Sequence, residues 1–459
     1  MKHLIIPAFL LVGAPLLLAE KEQELKSLDK FLFENAIWTT PLADVKAAFD
    51  PPKNEEGSEA DDKFAAEIRA RFKEQGIDIV IPSGNKEGAF EWLSSAHTSL
   101  RAPGGNFTLG DKPVGEVNIR SESGEEPTEI SISIYNRGDD GILRLSEFET
   151  RVAEWKRLLD EKLTVRPSER DSGGAVQIDG WMWRTEGVAW LLEGSISRRE
   201  KRAEFIRLRL APLNAHGQTQ RTRIARRSSL DANVVKKENG DVSIKGIPMV
   251  DQGDKGYCVV ASVERVVRYY GAEVDQHELA QLANTDNAGT SVSDMEDAFK
   301  RVTGRIHVRT LKHIEFDDRQ FERDFKSYNR LAKREGVWYD DRDFDEWWLD
   351  PRYLWMKADK KVFREMKIEQ AKYDHFNRKV KEFVDQGIPL AWTLYLGMFK
   401  EGDMPQSFGG HMRLIIGYNE KTGEIIYTDS WGKGHEYKKM DSGNAWCMTT
   451  GLYSMIPNR

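Results

Sequence analysis

A chain of 459 residues, 39% of them hydrophobic, has the length and apolar content for two or three cored domains. A formal net charge of -7 with 31% charged residues argues against a nucleic-acid partner, and two cysteines are too few for a disulfide scaffold. In chain order, Lys2 and His3 precede the apolar run Leu4 to Ala19, which reads as a secretory signal peptide over 1–19 cleaved after Ala19. Pro7 and Pro15 interrupt the run, and it falls short of the about 20 residues of a spanning helix. The expectation is an exported protein, periplasmic or extracellular, with no stable membrane span after cleavage. Leu17, a poor residue three places before the cut, keeps an uncleaved anchor as the alternative.

Residues 24–213 read as a separate α+β domain of unknown role without a catalytic signature. Periodicity predicts a helix from Phe64 to Gln75, paired strands from Gly115 to Ser121 and Glu129 to Tyr135, a helix from Ser146 to Lys162, and a last strand from Glu204 to Leu210. Thr40 to Asp62 and Ser121 to Thr128 read as loops from their proline, glycine and acidic content. Asn136 to Glu147 has the outline of a calcium loop, but Gly138 stands where an oxygen ligand is required and a strand leads in, so a turn is expected. Arg137-Gly138-Asp139 is read as part of that turn. Trp92, Trp181, Trp183 and Trp190 are assigned to the core.

Residues 214–242 read as a polar, basic linker with Arg221, Arg223, Arg226 and Arg227 ahead of Ser228 and Ser229, a solvated segment that is also open to a trypsin-like protease. Beyond it comes the stretch Gln252-Gly253-Asp254-Lys255-Gly256-Tyr257-Cys258. Val260, Val263, Val266, Val267 and Tyr270 recur at helical spacing, with Ser262, Glu264, Arg265 and Arg268 between them and Gly271 as the stop. Cys258 therefore opens a buried helix, where free N–H groups and the positive dipole end favour a thiolate. The Gln252 amide, six residues earlier, is positioned to join the Cys258 N–H in stabilising an oxyanion. Asp275 to Ala283 predicts a second helix, with His277 on a polar surface. Gly289-Thr290-Ser291 leads to a capping box of Ser293 and Glu296 and a helix from Asp294 to Val302. His307 and His313 lack partners at ligand spacing, so no metal or other cofactor is expected.

Arg319 to Val384 predicts a helical insertion whose aromatics, among them Trp338, Tyr339, Trp347, Trp348, Tyr353 and Trp355, are read as packing an extra helical layer, with one wall of a substrate cleft as the alternative. Gly387-Ile388-Pro389 leads into a strand from Leu390 to Leu396. Gly409-Gly410-His411 opens another, His411 to Tyr418, which turns through Asn419 to Gly423 and returns as Glu424 to Thr428. That hairpin delivers Asp429 beside His411, the orienting bond that a Cys/His pair needs. Cys447 is expected as a free thiol in the final strands.

Gln252, Gly256-Tyr257-Cys258, Gly410-His411 and Asp429-Ser430-Trp431-Gly432, in this order, resemble the motifs of papain-like cysteine peptidases, and most of all their C39-like branch. The resemblance runs from about Ser243 to Pro457. It implies a papain-like domain over 243–457, helical on one side and an antiparallel sheet on the other, interrupted by the insertion at about 319–384. It implies Cys258 as nucleophile, His411 as general base and then acid, Asp429 as its orienter, Gln252 as oxyanion donor and Trp431 as a shield over the His/Asp pair, with Gly410 and Tyr257 in support. The loop at Gly289 is structural in that family. Papain has asparagine where Asp429 stands, so this residue marks the branch only.

The function expected is peptide-bond hydrolysis through a thioester acyl-enzyme, on a peptide or protein substrate. The same residues serve an amidase or transpeptidase acting on cell-wall or isopeptide bonds, and a papain-like fold also serves as a non-catalytic peptide-binding module. The domain over 24–213 is expected either to occlude the cleft until the linker is cut or to stay attached and bind a partner or substrate.

Overall fold

The computed structural model describes residues 25–50, 89–173, 176–213, 225–253, 256–272, 276–283, 285, 308–315, 318–341, 351–401 and 409–458. The expected signal segment, the helix Phe64 to Gln75, Arg221 and Arg223, the stretch from Gly289 to Val302, His307, Trp347 and Trp348 lie outside them.

Among the described residues the first half is built on an eight-stranded antiparallel sheet in the order Glu91–Trp92, Ser99–Ala102, Val117–Arg120, Glu129–Asn136, Arg202–Pro212, Val188–Ser197, Gln177–Arg184, Ser168–Gly173. The helix Leu145–Leu163 buries Phe148, Val152, Trp155, Leu159 and Leu163, one stripe at helical spacing, in the same core as the sheet. Trp183 and Trp190 are fully buried there, and Trp183 Nε1 donates to Asp160 Oδ1 at 2.8 Å. The three strands from Ser168 to Ser197 are an addition to the elements read from sequence. A second correction concerns the loop expected from Thr40: Leu42–Phe49 is a helix that buries Leu42, Val45 and Phe49. Pro41, which suggests a break, stands just ahead of the first turn, where a missing N–H costs nothing.

The second half carries a sheet in the order Val234–Lys236, Asp241–Ile244, Gly409–Asn419, Leu390–Leu396, Thr449–Pro457, Val308–Glu315, again antiparallel throughout. Glu424–Thr428 pairs with the other edge of Gly409–Asn419 and with Lys438–Asp441. The end of the expected linker, Val234–Lys236, is thus a strand of this sheet. The expected insertion is a set of helices, Asp318–Glu335, Pro351–Lys357, Lys360–Ile368 and Ala371–Val384, and Trp355 packs from it on Tyr395 at 4.9 Å between ring centroids.

Cys447 departs from its expected strand. It is buried in the helix Ser442–Met448, which Asp441 caps by accepting the Asn444 N–H at 2.9 Å, and burial pushes its thiol up to about 12. Cys258 and Cys447 are both free.

The hairpin that carries His411 and Asp429 is held close to its neighbour by one glycine. A Cβ on Gly417 would stand 2.5 Å from the Val242 carbonyl oxygen and 3.0 Å from Ser243 Cβ. Gly417→Ala is expected to destabilise the protein by about 1–3 kcal/mol, measured from the denaturant midpoint, because backbone rather than a flexible side chain must yield.

Candidate active site

The helix Cys258–Tyr269 begins directly after Tyr257, which has φ -92 and ψ 12 at the cap position, so Cys258 occupies the first helical turn. One stripe of the helix, Cys258, Ser262, Arg265 and Tyr269, turns to the sheet. Ser262 Oγ donates to the Met412 carbonyl at 3.4 Å, and Tyr269 OH to the Gly387 carbonyl at 2.8 Å. Arg265 donates to the carbonyls of Pro248 at 2.8 Å and Asp429 at 2.7 Å and to Thr428 Oγ1 at 2.5 Å. Burial lowers its guanidinium to about 10, which still leaves it charged at neutral pH. Arg265 therefore fastens the helix to the strand end that bears Asp429. Sequence spacing puts Ser262, Glu264 and Arg265 on a polar side, but all three are buried: Ser262 and Arg265 against the sheet, and Glu264 on the side where Arg120 of the first-half domain lies 3.8 Å away.

His411 lies on the strand Gly409–Asn419, opposite Leu394, and is buried. Its Nε2 bonds Asp429 Oδ1 at 2.7 Å, which leaves Nδ1 for the Cys258 side of the ring. Burial by itself would lower the imidazole, but the Asp429 carboxylate, with Cys258 adding to it, raises it to about 9. Trp431 stacks on the His411 ring at 4.8 Å and 28°. Asp429 is fully buried; burial works against its charge, yet His411 and Arg413 hold it well below the usual carboxylate range.

Gln252 is buried beside Ser430: its backbone N–H donates to the Ser430 carbonyl at 2.9 Å, and its Oε1 accepts the Ser430 hydroxyl at 2.8 Å. The hydroxyl fixes the orientation of the amide, so the NH2 end, the donor that an oxyanion needs, faces away from Ser430. Tyr257 is buried, and its OH donates to Asn136 Oδ1 at 3.3 Å in the first-half domain. A Cβ on Gly410 would meet nothing within 4 Å among the described residues, so its support of the site has no steric basis there. His277, expected on a polar surface, is half-buried with its ring 5.9 Å from that of Tyr257.

Sequence reasoning passes over a second layer. Arg413, fully buried, donates through Nε to Asp429 Oδ2 at 2.6 Å and through Nη1 to Glu401 Oε2 at 2.6 Å, with its guanidinium 4.5 Å over the Tyr427 ring. Tyr427 OH donates to the same Glu401 oxygen at 2.6 Å. The signal for Arg413 is period two: it stands two residues after His411 and so on the same face of the strand. Ser430 lies within a quoted motif, but its bond to Gln252 is a contact across the fold. Among the described residues no cluster of His, Cys, Asp and Glu could hold a metal ion, and no helix is long and apolar enough to cross a membrane.

A thiol at the head of a buried helix, facing a His–Asp pair on an antiparallel sheet, is the arrangement of papain-like cysteine peptidases. Residues 246–328 match the Peptidase C39 family and residues 355–454 the Peptidase_C39 like family. Both matches lie within the stretch 243–457 whose motifs resemble the C39-like branch, and together they support a C39-like, papain-like domain there. Among solved structures it is similar to the peptidase domain of Streptococcus ComA, a bifunctional ABC transporter involved in quorum sensing (15% identity over 46% of this chain and 99% of that one, TM-score 0.23). It is also similar to xylellain, a cysteine protease from Xylella fastidiosa (13% identity over 50% of this chain and 90% of that one, TM-score 0.27). No curated protein matches the chain.

The raised imidazole sets an expectation for pH. A proton that His411 holds up to about 9 is lost above that value, so acylation rates should fall on an alkaline limb near pH 9. Asp429→Asn keeps a hydrogen-bond acceptor but removes the charge, which should move the limb toward the ordinary histidine value of about 6.5. The same variant should retain more activity than Asp429→Ala, which leaves the ring free to rotate. A pH–rate profile for each variant checks both points, and an unmoved limb in Asp429→Asn would exclude Asp429 as the source of the shift.

Proposed function

We propose that this protein is a cysteine peptidase that cleaves peptide bonds through a thioester acyl-enzyme, and that it works outside the cytoplasm, to which the apolar run of residues 4–19 would direct it. The observation that carries the catalytic reading is a buried histidine, His411, bonded to the Asp429 carboxylate and interacting on its other side with Cys258, the thiol that opens a helix. In this reading Cys258 attacks the peptide carbonyl as the thiolate, and the negative charge passes to the carbonyl oxygen. The Cys258 N–H and the Gln252 amide receive that charge. His411 then gives its proton to the leaving amine, becomes neutral, and takes a proton from the water that hydrolyses the thioester. Trp431 covers the His411–Asp429 bond and keeps water from competing for it.

Cys258→Ala and His411→Ala should each abolish hydrolysis and leave the fold intact, and the double variant should lose little more, because the two groups act as a unit. Gln252→Ala should lower kcat by about 10² to 10³. Proteome-wide mapping of new peptide termini with wild type against Cys258→Ala would identify the substrate bond, and termini that appear equally with both proteins would refute the proposal. Iodoacetamide near neutral pH should alkylate Cys258 well before the buried Cys447; equal rates would instead favour a peptide-binding module.

A further inference from the structure

The first-half domain meets the turn that carries Gln252 through Arg101. Arg101, on the strand Ser99–Ala102, donates twice to Glu116 Oε2, from Nε at 2.9 Å and Nη2 at 2.8 Å, and from Nη1 to Asp251 Oδ2 at 3.2 Å. Glu116 is itself held by Asn118 Nδ2 at 2.6 Å, so the guanidinium has little freedom. Asp251 immediately precedes Gln252. Its second oxygen, Oδ1, accepts the Gly253 N–H at 2.9 Å, closing a tight turn around Gln252 that Gly253 completes at φ +68. Arg101 Nη2 comes within 3.0 Å of the point where a Cβ on Gly253 would stand, and Asp251 Oδ2 within 3.1 Å of the equivalent point on Gly432, in the loop after Trp431. The Arg101–Asp251 pair is mostly buried, at 11% and 20% side-chain exposure, where an ion pair is screened much less than at the surface.

The same domain holds two other neighbours of the site. Tyr257, next to the nucleophile, is bonded to Asn136, and Ser95 N–H donates to Glu436 Oε1 at 2.5 Å in the loop beyond Trp431. Contacts on the Gln252 turn, on the head of the Cys258 helix and on the loop after Trp431 all come from one body. We infer that Arg101 is a positioning residue for the oxyanion donor: through Asp251 it sets the place of Gln252, and the first-half domain is thereby a working part of the catalytic apparatus. This rests on the function proposed above.

The test separates carbonyl addition from thiol reactivity in the full-length protein. In acylation by p-nitrophenyl acetate, Cys258 Sγ adds to the acetyl carbonyl, an oxyanion forms, and the C–O bond breaks to release p-nitrophenolate. In alkylation by iodoacetamide, the same sulfur displaces iodide from a saturated carbon and no oxyanion forms. Arg101→Gln should slow acylation by about 10- to 100-fold, less than the ~10² to 10³ of losing the donor itself, while alkylation stays within about twofold of wild type. Arg101→Lys, which can reach only one of the two carboxylates, should fall between. Arg101→Gln combined with Gln252→Ala should acylate no more slowly than Gln252→Ala alone, because one residue acts through the other. Losses that multiply in the double variant, or acylation and alkylation that fall together, would overturn the inference. Should Arg101→Gln fail to fold, Asp251→Asn, which keeps the acceptor for Gly253 N–H and weakens the bond to Arg101, decides it by the same pair of rates. A wild type that acylates no faster than Cys258→Ala would overturn the proposed peptidase, and the role of Arg101 with it.

Discussion

The fully buried carboxylate of Asp429 is the constraint around which the second half is built. A carboxylate out of water is tolerated only when its oxygens are bonded and its charge is met. Oδ1 takes His411 Nε2 and the Ser430 N–H, and Oδ2 takes Arg413. Arg413 is also bonded to Glu401, so two carboxylates share one guanidinium. The Asp429 carboxylate on one side of the ring, with Cys258 adding to it, is the physical reason that the imidazole resists losing its proton although it is buried.

The placement of Asp429 then determines the surrounding backbone. Its carbonyl accepts from Arg265 on the Cys258 helix, and its N–H donates to the His435 carbonyl at 2.9 Å. The next residue, Ser430, holds both the backbone and the side chain of Gln252. One short segment, Asp429 to Trp431, thus bonds His411, stacks on it, holds Gln252 and docks the Cys258 helix. The chain separates Cys258 from Asp429 by a helical layer, yet Arg265 joins them directly.

How much of this is legible in the sequence follows the range of the interaction. The Cys258 helix, the His411 hairpin and the strand Leu390–Leu396 are local patterns, written in spacings of three, four and two, and the first two of them place Cys258, His411 and Asp429. Arg265 and Arg413 look like ordinary polar positions, because nothing local says that a cation will be fully buried against a carboxylate far along the chain. The helix reads as one-sided for the same reason: its polar face, with Glu264 and Arg268, is covered by a domain that the spacing does not reveal. In the first half, the edge strand Ser168–Gly173 is polar along its whole length and carries no alternation to read.

That domain interface explains residues that otherwise look decorative. Arg207 donates to Glu193 at 2.8 Å and to Glu278 at 2.6 Å across the boundary, and Arg120 lies 3.8 Å from Glu264. Separating the halves would take Arg207 from the buried Glu278 and Arg120 from the buried Glu264, which keeps Arg268 on its own helix. Val176, Ile178 and Phe205 also join the core of the catalytic half. The turn with the outline of a calcium loop has its reason here. Asn136 caps it and meets Tyr257; Arg137 donates to Glu204 at 2.9 Å and to the Thr285 carbonyl at 2.5 Å; and a Cβ on Gly138 would stand 2.4 Å from Tyr257 OH. Glycine at 138 is what lets the Tyr257 phenol, beside Cys258, seat against the first half, so this turn serves the fit between the two halves.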